Sequence, residues 1–490
     1  MRPIIFYLLF LLLFFGCKTD PPPQEEKSPQ KPNFLFLFAD DQAFRSIGAL
    51  NNDEIKTPAL DKLTEEGLTF THCFNQGAWN GAVCIASRAM LNTGQYIYHA
   101  QQNINTAKLW GEVFTEAGYE TYITGKWHNG DKTALRSFKY IEALGKGMFE
   151  TRGGPKGPGY HRPTADNNSW TPYDTALAGH WSPEVQDLVV SADSARSLSK
   201  RVVKQHTSGL YADNAIQFLN KAKEMEAPFL MYVAFNAPHD PRQSPKEFVD
   251  MYPTAGIAIP PNYVPEHPFD QGDHKLRDEI LAPFPRTEEV VKVHRQEYYA
   301  IISHMDYQIS RIMQALEASG LKENTYVIFS ADHGLAVGEH GLMGKQNQYE
   351  HSIRMPFIIS GPGINKGKIE ALIYLQSLFA TTCELAGIPV PESVDFPSLN
   401  PLIKGEKTTG QEYIYGSYRH LQRMVRNEQH KLILYPHIGK VQFFDVINDP
   451  FEMNDLSDQP EQKGLMDSCF AALVKLQQSV GDTLTLKKVW

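Results

Sequence analysis

Three uninterrupted apolar runs, each closing on acidic or imidazole side chains, constrain this chain more than any other feature. They are "NFLFLFADDQ", with a strand expected over Asn33–Phe38 and Asp40 and Asp41 behind it, "PFLMYVAFNAPHD", ending in His239, and "NTYVIFSADHG", ending in Asp332 and His333. A run with no polar face has to be covered on both sides. That is the pattern of a parallel strand inside a sheet. A fourth segment, "ETYITGKWH", follows a helix and Gly118 and leads through Gly125 to Lys126 and His128.

Helical patterns lie between these runs. "TPALDKLTEEG" starts at Thr57-Pro58 and stops at Gly67, with proline and glycine at the ends they favour. A polar-apolar stretch from Asp193 to Ala227 reads as helix, as does Thr287 to Ser319, and "RMPFIISGPG" with the helix around "LQSLFATTCELAGI" continues the alternation. The expected fold is therefore α/β, a mostly parallel central sheet sandwiched by helices. Such sheets take ligands beyond the carboxyl ends of their strands, so the four polar clusters should meet at one edge. From about Pro401 the texture changes to short antiparallel strands, with turns at Asn427-Glu428 and His437–Lys440 and a closing helix from about Glu461 to Val480. This predicts a smaller C-terminal α+β subdomain carrying a short antiparallel sheet. Residues 131–191, rich in Gly, Pro and aromatics, read as an irregular insertion near the site.

At the N-terminus, Arg2 precedes an apolar run from Ile4 to Phe15. The run is short of the roughly 20 residues that a membrane span requires and fits the apolar part of a secretory signal. Gly16-Cys17 falls where bacterial lipoprotein signals are cut, and a Pro-, Gln- and Lys-rich tether follows. The expected layout is a signal peptide over 1–16, a lipoprotein-type tether over 17–32 lipidated at Cys17, a catalytic domain over 33–400 and the C-terminal subdomain over 401–490. The expected location is the bacterial periplasm or outer-membrane surface, with contact to the membrane only through that anchor. The 47 basic and 56 acidic residues give a net charge of -9, which argues against a nucleic-acid partner. A local cationic pocket for an anionic small substrate remains compatible with it. The five cysteines, Cys17, Cys73, Cys84, Cys383 and Cys469, are too scattered for a disulfide framework or a zinc knot.

Asp40, Asp41 and Asp332 at one edge would repel each other unless a cation or proton neutralises them. Hard oxygen ligands favour Ca²⁺ or Mg²⁺ over structural zinc. Lys126 and His128, two apart on an extended segment, face the same side, and a cation with a proton carrier suits an anionic substrate. His239 sits between Pro238 and Pro241, and Lys345 lies in a Gly-punctuated loop after Asp332. Taken singly, these residues read as turn histidines and solvated lysines; the convergence gives them weight. No ordinary nucleophile accompanies them. Cys84 in "GAVCIASRAM" sits at a helix start beside Arg88, where a thiolate is favoured, but a soft thiolate on a hard cation is a poor match. The mismatch points to modification of Cys84.

With these residues in hand, the chain resembles the type I sulfatases of the alkaline phosphatase superfamily. The likeness runs from about Asn33 to Leu456 through "ADDQ", "CIASR" with "MLNTGQY", "GKWH", "APHDP", "SADHG", "GKQNQYEHSIRMPFIISGPG", "HKLIL" and "FFDVINDPFEMNDL", in that order. The resemblance implies that a sulfatase-maturing enzyme oxidises Cys84 to formylglycine (3-oxoalanine), whose hydrate sits on one Ca²⁺, with Mg²⁺ the lesser choice. One hydroxyl would attack sulfur, and deprotonation of the other would expel sulfate. It also implies that Asp40, Asp41, Asp332 and His333 bind the metal with residue 84, and that Arg88 supports the formylglycine. Lys126 and Lys345 would hold sulfate oxygens, His128 act as base, and His239 protonate the leaving alcohol and contact substrate. Ala86 stands where the modification motif more often has proline, and His333 where many members have asparagine.

The resemblance implies a sulfuric ester hydrolase, and the export signal and anchor point to an extracellular substrate, a sulfated carbohydrate or polysaccharide fragment, of algal type such as ulvan. A phosphonate monoester or phosphodiester hydrolase on the same scaffold is the alternative, and a glycan-binding lipoprotein without turnover a third reading. Trp79, Trp110, Trp170 and Trp181 are candidate sugar platforms, and Arg419, His420 and Arg423 candidate substrate contacts from the C-terminal subdomain.

Overall fold

In the computed structural model, described for residues 31–146, 162–163, 170–176, 178–272 and 278–490, each apolar run becomes a buried strand. The leader, most of the tether and Cys17 lie outside the described residues. In chain order the first strands are β1 (Asn33–Asp40), β2 (Leu68–Phe74), β3 (Gly77–Ala78), β4 (Glu120–Lys126), β5 (Tyr140–Gly145), β6 (Glu184–Val190), β7 (Arg196–Val202) and β8 (Phe229–Pro238). After them come β9 (Thr325–Ala331), β10 (Arg354–Ser360), β11 (Gly367–Ile369), β12 (Ile373–Tyr374), β13 (Ile414–Tyr418), β14 (Gln422–Arg426), β15 (His430–Tyr435) and β16 (Lys440–Asp445).

The large sheet has the order β11-β2-β10-β9-β1-β8-β4-β5-β6-β7, with β12 also on β2. Its centre is parallel: β1 pairs with β8 and β9, and β4 with β8 and β5. Phe36 stands opposite both Tyr232 and Ile328, so aromatic and aliphatic rows fill the space under the helices. Because β1, β4, β8 and β9 run the same way, Asp40, Lys126, Pro238 and Ala331 all end at one edge. β10, by contrast, runs antiparallel to both β9 and β2.

Helices cover the faces. The helix Pro58–Glu66 starts at the expected proline, and Gly67 N–H closes it on Leu63 O at 2.9 Å. Its open N-terminus is capped from another helix: Asp306 accepts the Ala59 and Leu60 N–H groups at 3.0 and 2.8 Å. Asp306 lies on the 31-residue helix Glu288–Ala318, whose N-cap is Thr287.

Two expectations need correction. Within Asp193–Ala227 only Thr207–Ala222 is helical; residues 196–202 form β7, the edge of a hairpin with β6 closed by Ser191 N–H on Ala195 O at 3.0 Å. The basic side chains of "RSLSKRV" (Arg196, Lys200 and Arg201) suit an exposed edge strand, which such side chains keep from pairing further. Within 131–191, strands β5 and β6 extend the sheet and the helix Asp131–Ser137 precedes them, while the described residues 162–163, 170–176 and 178–183 are irregular.

The second sheet is β16-β15-β14-β13-β3. β13 to β16 are antiparallel in sequence, as expected, with turns at Asn427–His430 and between β15 and β16. Its fifth strand is β3, which pairs parallel to β13 with Gly77 opposite Ser417 and leads directly into the helix Val83–Thr93. Cys73, Cys84, Cys383 and Cys469 are all free thiols.

Candidate active site

β1 delivers Asp40 and then turns, with Asp41 at φ 71°. Tyr298, from the long helix, holds that turn: its hydroxyl donates to Asp41 O at 2.8 Å and accepts the Ala43 N–H at 3.0 Å. Asp332 follows β9. One carboxylate oxygen accepts the Asp41 N–H at 3.1 Å and the other accepts Arg88 Nε at 2.8 Å. Asn75 Nδ2 donates to the Asp332 carbonyl at 3.0 Å. Backbone and side-chain bonds thus bring Asp40, Asp41 and Asp332 together, with ligand atoms all within 4.8 Å of one another. Asp40, Cys84 and His239 form a second such group that shares Asp40.

Cys84 is in the first turn of Val83–Thr93 and only 2% exposed. Lys345 Nζ lies 3.4 Å from its Sγ and 2.6 Å from Asp41 Oδ1. Arg88 comes one turn later, so its guanidinium reaches across to Asp332 and donates from Nη1 to the Lys126 carbonyl at 2.7 Å. Lys126 itself pairs with Asp40. His128, at φ 66°, has a buried Nδ1 with no hydrogen-bond partner among the described residues. His239 Nε2 stands 3.7 Å from Asp41 Oδ2, while its Nδ1–H donates to Asp240 O at 2.8 Å.

Three carboxylates face three cations here, and their environments differ. Burial, then the Asp332 charge, pushes Asp40 up to about 6. Burial pushes Asp41 well above the ordinary carboxylate range although Lys345 opposes it. Burial acts on Asp332 too, but Arg88 and the two lysines outweigh it and hold that carboxyl low. Burial, then Asp40, pushes the Cys84 thiol up to about 12. Burial, then Lys126, pushes His128 down to about 2, so its ring is neutral. Asp40 Oδ1 is buried with no hydrogen-bond partner among the described residues, so it has no proton to accept. An oxygen-rich donor set with an orphaned carboxylate oxygen fits a hard divalent cation.

The sequence-expected residues fall into place unevenly. Asp40, Asp41, Cys84, Arg88, Lys126, His239, Asp332 and Lys345 are joined by the contacts above, and His128 faces the same charges. His333 is buried with Nδ1 3.1 Å from Gly334 O and belongs to neither ligand group. Arg419 is half-buried at the β13–β14 turn, and its N–H bonds Ala78 O at 2.8 Å on the segment leading to Cys84. Arg423 is a correction: it is buried and bound to Asp482 at 2.6 Å, so it braces the C-terminal sheet. Trp110 is another, a core side chain donating to Thr382 Oγ1 at 2.9 Å, while Trp79 and Trp181 are half-exposed. Tyr298 was not legible in the sequence, because a tyrosine inside a long amphipathic helix carries no mark of which loop it will meet.

Comparison with known proteins adds three results. The family model described as Sulfatase matches residues 32–388, and one described as N-sulphoglucosamine sulphohydrolase, C-terminal, matches 338–479. A protein named ulvan-active sulfatase from Formosa agariphila is 27% identical over 511 residues, covering 98% of this chain and 88% of its own length. Among solved structures, the yidJ protein of Bacteroides fragilis aligns with a TM-score of 0.70 at 23% identity, over 95% of this chain and 100% of that one. The phosphonate monoester hydrolase of Agrobacterium radiobacter aligns at 0.67 and 21%, over 92% and 96%. At such identities these two structures show a shared fold.

Proposed function

This chain belongs to the sulfatase family and is a sulfuric ester hydrolase, and from that premise we propose that it cleaves sulfate esters of a carbohydrate, of algal type such as ulvan, with residue 84 working as formylglycine beside one Ca²⁺. The observation that carries this reading is the meeting of Asp40, Asp41, Asp332 and Lys345 around a buried residue 84. The encoded thiol stands in for the aldehyde hydrate that the chemistry requires. A thiol pushed up to about 12 supplies no thiolate at neutral pH, which supports conversion over thiol catalysis.

Asp40, Asp41, Asp332 and residue 84 would hold the cation, with His333 a further candidate, and the chemistry it would supply there is Lewis-acid polarisation of sulfate oxygens and a lowered pKa for a hydroxyl at residue 84. The hydrate supplies that hydroxyl pair, one to attack sulfur and one to release sulfate. The chain's own residues account for the rest. Lys126 and Lys345, now on carboxylates, are within reach of an anion bound at residue 84 and would exchange partners to hold it. Arg88 fixes Asp332 and the Lys126 backbone in one frame. Neutral His128, whose buried Nδ1 has no hydrogen-bond partner among the described residues, would accept the proton that must leave residue 84. His239 would give a proton from Nε2 to the leaving oxygen, a step that requires the doubly protonated ring because Nδ1–H is held by Asp240 O.

The test is to express the protein with a maturing enzyme, weigh the peptide holding residue 84, and assay defined sulfated oligosaccharides. Conversion to formylglycine with sulfate release, both lost in Cys84→Ala, is expected; unmodified cysteine and no release from any sulfate ester would sink the reading. The fold shared with a phosphonate monoester hydrolase keeps a second reading open, and a large preference for aryl phosphodiesters over aryl sulfates would favour it. We also propose export and lipidation at Cys17, on the composition of the leader; labelled palmitate should enter the wild type and not Cys17→Ser.

A further inference from the structure

Behind the His239 loop lie two buried histidines that the reaction above does not use. His180 comes from the irregular segment before β6, and His206 is the N-cap of Thr207–Ala222. Their rings stack with centroids 5.1 Å apart and planes 13° from parallel. Each grips one end of the loop. His180 Nε2 lies 3.1 Å from the His239 carbonyl O, and its Nδ1 2.6 Å from Thr207 Oγ1. A carbonyl only accepts, so Nε2 carries the proton and Nδ1 takes the threonine hydroxyl. His206 Nε2 lies 2.9 Å from the Gln243 carbonyl, and its Nδ1 accepts the Ser208 N–H at 3.2 Å. Both rings are neutral: burial pushes His180 down to about 4 and His206 well below the ordinary range.

The Gln243 side chain closes the clamp. It accepts the His180 N–H at 2.7 Å and donates to Ala178 O at 3.2 Å. Gly179, at φ +123°, holds backbone that other residues rarely adopt, and a Cβ there would stand 2.5 Å from Gln243 Oε1 and displace it from the clamp. The loop between these grips carries the His239 imidazole, whose Nδ1–H is committed to Asp240 O. What still decides where Nε2 stands is the placement of the His239 backbone, and that backbone is what His180 holds.

We propose that His180 and His206 are positioning residues for the reaction, gripping the His239 and Gln243 carbonyls so that the His239 imidazole is set against residue 84. The inference rests on the reading of His239 as proton donor to the leaving oxygen. A misplacement of about 1 Å is enough to lower a rate about 10²-fold.

The experiment measures kcat/KM for a series of para-substituted phenyl sulfates on enzyme whose residue 84 conversion is confirmed by peptide mass. Proton donation matters most for the poorest leaving phenols. His239→Ala is expected to lose about 10²-fold at that end and little with 4-nitrophenyl sulfate. His180→Phe should steepen the dependence in the same sense, by about 10-fold across the series. His180→Gln, whose side-chain amide keeps a donor at the same reach, should restore the wild-type slope. An equal loss across the series in His180→Phe, or no loss, overturns the proposal. An unchanged slope in His239→Ala instead overturns the donor assignment, and the inference with it. Should His180→Phe not fold, Thr207→Val removes only the hydroxyl that fixes His180 Nδ1; a steeper slope supports the clamp and an unchanged slope overturns it.

Discussion

Arg88 forms a fork that a lysine cannot copy, with Nε on Asp332 at 2.8 Å and Nη1 on the Lys126 carbonyl at 2.7 Å. Breaking a buried pair of this kind costs about 3–5 kcal/mol. Arg88→Lys is therefore expected to lower the melting temperature and to cut sulfate release at least about 100-fold, as the loss of an oriented electrostatic group does. The residue 84 peptide should be weighed in parallel, because Arg88 also lies in the modification motif; full conversion with lost activity assigns the effect to positioning. A second expectation concerns the metal. Asp40 is pushed up to about 6 by burial and by Asp332, a strain that a bound cation relieves. A chelator should lower the melting temperature of the folded enzyme and added Ca²⁺ restore it, since a ligand of the native state stabilises it. A melting temperature indifferent to both would remove the metal from this account. Asp40, Asp41, Asp332 and Lys126 were legible one by one because each ends a buried strand. That Lys126 sits on Asp40 and Lys345 on Asp41 was not, since nothing in a linear spacing says which charges will share a cavity.

The long helix Glu288–Ala318 shows what an element adds. It places Tyr298 on the Asp41 turn and Asp306 on the start of Pro58–Glu66. Tyr298→Phe removes a donor to Asp41 O and an acceptor for Ala43 N–H, a net loss of about 1–2 kcal/mol. Because the lost bonds hold the turn that carries Asp41, a proposed metal ligand, Ca²⁺ affinity by titration calorimetry should fall about 10-fold, the scale of an outer-shell contact. Unchanged affinity would make Tyr298 a packing residue. Asp306 has a pH signature of its own. Burial raises its carboxyl from 3.8 to about 7, against the two N–H bonds it accepts. A folded value above the unfolded one means that its contribution to stability is full below about pH 3.8 and is lost as pH rises through about 7. The stability of Asp306→Asn relative to wild type should thus improve between pH 4 and pH 8 in urea titrations; a flat difference would contradict the shift. The expected ends of both helices were readable because proline, threonine and glycine mark them. The β6–β7 hairpin was not, because "RSLSKRV" is polar enough for an exposed helix as well as for an edge strand.

At the scale of the whole molecule, the C-terminal sheet is tied to the catalytic one through β3, seven residues of chain before Cys84 by number. Gly77 makes this possible: at φ +82° a Cβ would lie 1.9 Å from Ser417 O. Gly77→Ala is expected to break the β3–β13 pairing and to destabilise by about 3 kcal/mol or more, since the strained backbone and the clash add. Limited proteolysis should then cut near β3 and activity should fall with it; a wild-type cleavage pattern would refute the coupling. The order of apolar runs, their polar ends and the helices between them were settled by the sequence itself, because a run without a polar face has few ways to be buried, and parallel strands deliver their ends to one edge. The sequence also set Cys84 among hard-cation ligands, from which its modification was expected. Only the tertiary structure decided that β10 runs antiparallel, that β3 joins the far sheet, that Tyr298 holds the Asp41 turn and that two stacked histidines hold the His239 loop. The Tyr298–Asp41 and Ser417–Gly77 contacts join residues 257 and 340 positions apart, and the histidine grips turn on a loop's backbone carbonyls; neither distance nor carbonyl direction leaves a periodicity in the chain for a reader to find.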